Sequence, residues 1–177
     1  YTDLLRERGM ESEDGRDGER RDKMGLSQQV AIKFMKFENH YLHEINWRTS
    51  HGLSEKYIIH ILRSHTHRDE NYDDNCIKDA GNFPYCIVLP AADRSLRSII
   101  DSERIAGKNY DMVRLIARQI CDSLLHVHER QLVHCDIKPK NIMRIEMKMK
   151  LIDLDSCNEI DSVLGSKYSS AYLPPEF

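Results

Sequence analysis

Nowhere in these 177 residues do apolar side chains run together for the roughly 20 positions that a membrane helix needs; the longest candidate, Tyr85 to Ala92, is short and contains Pro90. No membrane span is expected. Paired cysteine spacing is missing as well. The five cysteines (Cys76, Cys86, Cys121, Cys135, Cys157) are odd in number and none form a C-x-x-C, which argues against a disulfide framework or a zinc site. Reduced thiols are the expectation, and with them an intracellular location, cytoplasmic or nuclear. Charge of one sign does not accumulate either: 26 Lys and Arg against 29 Asp and Glu leave a formal net charge of −3, spread along the chain. That dispersal gives no argument for nucleic acid or an anionic membrane as a partner.

What is present is enough apolar material, 40% of residues, to bury one sizeable core or two small ones. From Glu11 to Lys23 there is no apolar residue, and residues 1–25 are expected to be a mobile segment. Val30 to Phe37 (VAIKFMKF) alternates as a half-buried strand would. A helix should follow, capped by Asn39, with Tyr41, Leu42 and Ile45 on one face and Gly52 to stop it. Tyr57 to Leu62 and Tyr85 to Leu89 are expected strands, joined by a long polar connection from Ser64 to Asn82. Beyond Pro90, Leu96, Ile99 and Ile100 predict a helix capped by Asp93, with Gly107 past its end. A longer one runs from Asp111 to about Arg130, its stripe formed by Val113, Ile116, Ala117, Ile120, Leu124 and Val127. Short strands are expected around 131–152. The order is an α+β pattern in two unequal parts, with the seam near Pro90 to Asp93, and such a seam is a common place for a ligand.

The densest chemistry lies at HCDIKPKN, His134 to Asn141, followed twelve residues later by the DLD that starts at Asp153. Upstream stands VAIK, ending at Lys33, and near the end YLPPEF, containing Glu176. These four motifs, in this order and spacing, resemble those of the protein kinase family, whose catalytic loop is H-R-D-x-x-x-x-N, whose metal motif is D-F-G and whose activation segment closes with A-P-E. The resemblance covers roughly residues 26–177. It implies the two-lobed protein kinase-like fold, with a partial β-rich N-lobe at 26–92 and the beginning of a mainly helical C-lobe at 93–177, incomplete at both ends. It implies ATP and Mg2+ as cofactors and a protein substrate with a Ser or Thr acceptor.

The residue types suit phosphoryl transfer, which is mostly positioning and electrostatics: hard oxygen ligands for the cation, a cation on the phosphates, and a carboxylate for the attacking hydroxyl. By resemblance Asp136 is that carboxylate, Lys138 touches the γ-phosphate, and Asn141 and Asp153 are the magnesium ligands. Lys33 holds the α/β-phosphates with Glu44 as its ion-pair partner, although Glu38 is a competing carboxylate nearer the helix start. Val88 stands behind the adenine as gatekeeper, and Leu89 and Ala91 offer backbone groups at the hinge. Ser169 occupies the activation-segment position whose hydroxyl meets the catalytic Asp and Lys; with Lys138 it favours Ser/Thr substrates.

Three departures bear on activity. The glycine-rich loop expected upstream of Lys33 is not recognisable, since Gly9, Gly15 and Gly18 do not fit it. Cys135 replaces the Arg of H-R-D, which removes its pairing with a phosphorylated activation segment. Leu154 and Asp155 replace the Phe and Gly of D-F-G. A pseudokinase that binds nucleotide or a protein partner is therefore the competing expectation. His65 and His67, like His126 and His128, are read as surface residues, because i, i+2 spacing on a helix turns two rings apart. The acidic run from Asp69 to Asp74 is read as a solvated face.

Overall fold

The computed structural model describes residues 29–66, 83–163 and 172. The expectations for residues 1–25, for the acidic run Asp69–Asp74, for Cys76, and for Ser169 and Glu176 lie outside the described residues.

Strand β1 (Val30–Met35) forms where the alternation predicts it, but with its faces reversed. Ala31, Lys33 and Met35 turn inward while Val30 and Ile32 are exposed, Ile32 at 41%. The lysine occupies the inner face because acceptors wait there. Helix α1 (Glu38–Ser50) follows, and Asn39 is not its cap: Phe37 is, without a side-chain bond, and Asn39 lies in the first turn. Gly52 does end the helix region, at φ +58, a conformation that costs glycine little. Tyr41 of α1 stacks on Tyr85 at 5.1 Å, and with Met35 and Ile87 these rings form a small core.

The stretch Tyr57–Leu62 is not a strand. Its β-branched residues serve as anchors instead: Ile58 and Ile59 are each 2% exposed, and Ile58 makes one parallel bridge to Leu151. The strand is β2 (Arg63–Thr66), polar and without apolar alternation, which pairs antiparallel with β3 (Tyr85–Pro90). Strand β3 also pairs with β1, giving the order β1-β3-β2 with Lys33 opposite Ile87.

The rest is helical with small sheets. Strand β4 (Arg94–Ser95) leads into α2 (Leu96–Glu103), capped by Ser95, whose Oγ accepts the Ser98 N–H at 3.1 Å; Asp93 does not cap it. Helix α3 (Tyr110–His128) is capped by Asn109. Its buried face is rotated from the expected stripe: Ile116, Ser123 and Val127 are buried, but Val113 and Ala117 are exposed. Strand β5 (Leu132–Val133) pairs with β8 (Asn158–Glu159), and the hairpin of β6 (Ile142–Ile145) and β7 (Lys148–Leu151) joins β4. Residues 134–141 thus lie between β5 and β6, and residues 152–157 between β7 and β8, so strand pairing at both ends brings the two segments together. A larger core of Ile58, Ile99, Ile116, Val127, Leu132, Leu151 and Leu154 lies beneath them.

His126, expected on the surface, is 7% exposed, whereas His128 is exposed as expected. Its Nε2 accepts the Ser54 backbone N–H at 2.9 Å, fastening α3 to the segment after α1. Burial, and then the neighbouring Arg130, push its pKa down from 6.5. The folded protein therefore keeps this ring neutral where the unfolded chain would take up a proton. Such a group contributes stability above the unfolded pKa, and that contribution is lost as pH falls below it. The melting temperature should fall on lowering the pH from about 7.5 to about 5.5, and His126→Gln should flatten that slope; thermal denaturation across pH measures both.

Candidate active site

The site is built on four pieces of backbone: β1, α1, the 134–141 loop and the turn after β7. Inward-facing Lys33 meets two carboxylates. Its Nζ lies 3.2 Å from Glu44 Oε2 and 2.6 Å from Asp153 Oδ1. Burial alone would lower the pKa of this ammonium, but Glu44, then Asp153 and, less strongly, Asp155 hold it above its ordinary value. Lys33 is therefore a fixed cation. Glu44, at 1% exposure, is the partner, and Glu38, which is exposed, is not.

The loop supplies a second cluster. Lys138 Nζ is 2.7 Å from Asp136 Oδ2, and the same oxygen accepts the Asn141 Nδ2–H at 2.9 Å. Asn141 Nδ2 also donates to the Asp136 carbonyl at 2.9 Å, so the two residues are locked together across the 3-10 turn Pro139–Asn141. His134, 1% exposed, underlies them. It bonds the Ile152 carbonyl through Nε2 at 2.9 Å and accepts the Asp136 N–H on Nδ1 at 3.3 Å. One donor and one acceptor define a neutral ring, in keeping with the burial that lowers its pKa. Because Ile152 also donates its N–H to the Asn141 carbonyl at 3.0 Å, the loop and the strand that ends before Asp153 are one hydrogen-bonded unit.

Backbone shape aims these groups. Cys135 at φ 60 and Asp153 at φ 66 are both left-handed, a conformation that costs a non-glycine residue about 1–3 kcal/mol and that clusters at functional sites. Leu154, fully buried, pins the turn after Asp153, and Asp155 stands on the following 3-10 turn (Leu154–Ser156), which packs against α1. Cys135 Sγ contacts the Val133 carbonyl at 3.4 Å, and burial raises its pKa. Burial pushes the Cys157 thiol up to about 12. Neither thiol is prepared for nucleophilic chemistry.

At the seam, Val88, Leu89 and Ala91 are half-buried. The Ala91 N–H, expected as a hinge donor, is engaged by the Gln29 carbonyl at 3.1 Å. Two cavities lie among the described residues, and neither is lined by Lys33, Asp136 or Asp153. One, of about 320 Å3, lies behind α1 against Arg48, Ile59 and Leu62, and the other, of about 510 Å3, flanks Pro90 and Glu146.

Those groups suit a magnesium nucleotide. Asp153 offers carboxylate oxygen and Asn141, its amide nitrogen committed to Asp136, offers Oδ1; both are hard donors. Mg2+ is a cation bound through one or two carboxylates together with substrate phosphates, and these two side chains are the ones that would hold it. Two features escaped sequence reasoning. Arg48, 8% exposed, pairs with Glu44 Oε1 at 2.8 Å, and its i, i+4 spacing from Glu44 was the available signal. Asp155 adds a third carboxylate to the field on Lys33.

A small antiparallel sheet with one helix, followed by helices and a loop that joins Asp, Lys and Asn, is the architecture of a protein kinase-like fold. A family model described as protein kinase domain matches residues 22–177, and the chain belongs to that family. It is 26% identical over 155 residues to the dual specificity protein kinase YAK1 of Saccharomyces cerevisiae, covering 83% of this chain and 18% of that protein. It is 32% identical over 134 residues to the serine/threonine-protein kinase prpf4B of Dictyostelium discoideum, covering 71% of this chain and 16% of that one. A probable dual specificity YAK1 homolog of Encephalitozoon cuniculi is 29% identical over 159 residues, 84% of this chain and 36% of that protein. The chain therefore spans well under half the length of these relatives. Among the described residues no helix is long and apolar enough to cross a membrane.

The buried charges make a stability prediction. Glu44→Ala would leave the Arg48 guanidinium buried without its counter-charge, a change that typically costs about 3–5 kcal/mol. Lys33→Met removes a less buried partner and leaves the Glu44–Arg48 pair in place, so it should cost clearly less. Urea denaturation of the two variants measures the difference.

Proposed function

We propose that this chain transfers the γ-phosphoryl group of Mg-ATP to Ser or Thr hydroxyls of a protein substrate, within an N-lobe at 26–92 and a C-lobe at 93–177. The observation that carries the reading is the paired charge arrangement, Lys33 between Glu44 and Asp153, with Asp136 held by Lys138 and Asn141 beside it. When bound, the magnesium nucleotide supplies the phosphoryl group and a cation that neutralises its charge. Lys33 binds the α/β-phosphates, and Asn141 and Asp153 hold the cation. Asp136 accepts the proton of the substrate hydroxyl at Oδ2 or Oδ1, and Lys138, now on Asp136, is placed to turn to the γ-phosphate. Val88, Leu89 and Ala91 border the adenine, with Ser169 and Glu176 in the activation segment. Lys138 favours Ser/Thr acceptors, whereas two of the relatives carry dual specificity in their names.

A second reading, a pseudokinase, is favoured by the Ala91 N–H already spent on Gln29 and by Asp155 and Cys135 in place of the family's Gly and Arg. The two readings separate in full-length protein. Asp153→Asn should weaken Mg-ATP binding, while Asp136→Asn should leave it nearly intact and remove most of the transfer, because that group acts in the transition state. Ligand at about 100 times its dissociation constant stabilises by about 2.7 kcal/mol, which a melting curve detects. A shift with no transfer in the parent would establish the pseudokinase; no shift at millimolar Mg-ATP would end the nucleotide-site reading. Phosphoamino-acid analysis should show phosphoserine or phosphothreonine as the main product, and a main product of phosphotyrosine would reject the Ser/Thr assignment.

A further inference from the structure

Arg48 follows Glu44 by four residues, so on α1 the two side chains share a face. Its side chain is 8% exposed, and arginine is almost never buried without a partner. It makes three contacts. Nη1 meets Glu44 Oε1 at 2.8 Å and donates to the Glu44 carbonyl, while Nε donates to the Ile59 carbonyl at 3.1 Å. Nη2 is buried with no hydrogen-bond partner among the described residues. Leaving a buried donor unsatisfied is unfavourable, so packing alone does not explain an arginine at this position.

The Ile59 contact leads onward. The Ile59 N–H donates to the Leu151 carbonyl at 3.0 Å, and the Leu151 N–H donates to the Tyr57 carbonyl at 2.9 Å. Two residues beyond Leu151 stands Asp153, 2.6 Å from Lys33, and Lys33 returns to Glu44 at 3.2 Å. Lys33, Glu44, Arg48, Ile59, Leu151 and Asp153 thus form a closed circuit through two ion pairs of Lys33, the guanidinium and the backbone. Glu44 is shared within it, giving one oxygen to each cation. A carboxylate held at one oxygen can swing about that contact; held at both, it has one orientation.

We propose that Arg48 is a positioning residue for Lys33, fixing the Glu44 carboxylate and tying α1 to the strand that delivers Asp153. The proposal rests on the nucleotide-site reading above. A purely structural ion pair predicts something different. Removing one partner of a buried pair is costly, but in Arg48→Met the Glu44 carboxylate keeps Lys33 as its counter-charge, so a loss of stability alone does not distinguish the two roles. Only positioning links that substitution to nucleotide affinity through Glu44.

The test is a double-mutant cycle in the full-length protein, with Mg-ATP dissociation constants taken from thermal-shift titrations of the parent, Arg48→Met, Glu44→Gln and the double variant. Arg48→Met should raise the dissociation constant about fivefold or more, and should raise it no further in the Glu44→Gln background. A constant within about twofold of the parent, or the same factor in both backgrounds, overturns the proposal. Where Arg48→Met does not fold, Arg48→Lys carries the test. Lysine lacks the rigid planar fork that presents Nε to Ile59 and Nη1 to Glu44 in fixed directions, so the variant's constant should rise by about twofold or more, and a parental value overturns the proposal. A parent that gives no shift with Mg-ATP overturns the nucleotide-site reading and this inference with it, whereas a responsive parent with an unresponsive Arg48 overturns this inference alone.

Discussion

A single carboxylate, Glu44, sets the geometry of this protein's charged site. At 1% exposure it cannot be ionised without compensation, and Lys33 and Arg48 supply it from opposite sides. Satisfying that buried charge requires β1 to present its lysine inward, α1 to lie across the sheet, and the segment after α1 to offer the Ile59 carbonyl. The small sheet, the helix and the loop are therefore arranged around an electrostatic demand as much as around an apolar core. That explains why Ile32 is turned outward while Lys33 is turned in.

The second half meets the same demand differently. There the charge of Asp136 is met within its own loop by Lys138 two residues on, Asn141 five residues on donates a hydrogen bond to it, and the loop is braced from below by His134. Strand pairs β5–β8 and β6–β7 bracket this loop and the Asp153 turn, so backbone hydrogen bonds set where Asp136 and Asp153 stand. This is how a site built from flexible lysines and carboxylates acquires a defined shape.

Much of this was legible in the sequence, because motifs such as HCDIKPKN place their chemistry within a few residues of one another. The helices at 96–103 and 110–128 were visible as apolar periodicity, although the exposed Val113 and Ala117 show that a stripe read from spacing fixes a face only to within part of a turn. Long-range context was not legible. Tyr57–Leu62 carries β-branched residues suited to a strand, yet the hydrogen bonds of Ile58 and Ile59 go to Leu151 and to a helical turn, while the polar Arg63–Thr66 takes the sheet edge. Arg48 and His126 escaped for a related reason: a lone basic residue on a helix is ordinarily solvated, and the partners outside the helix that fasten these two inside, Ile59 and Ser54, are not visible in the sequence.

Leu154 carries a consequence for how this site can change shape. It is fully enclosed directly after the left-handed Asp153, so rotating that turn to carry the carboxylate away would bring an aliphatic side chain into water. Exposing such a residue costs about 1.5–3 kcal/mol, and the hollow left behind adds to it. At about 1.4 kcal/mol per factor of ten, the outward form would be held to a minor fraction, and any ligand that depends on that vacated space would bind in proportion to that fraction. Compounds that accept the Asp153 turn as it stands are the better chemical starting point.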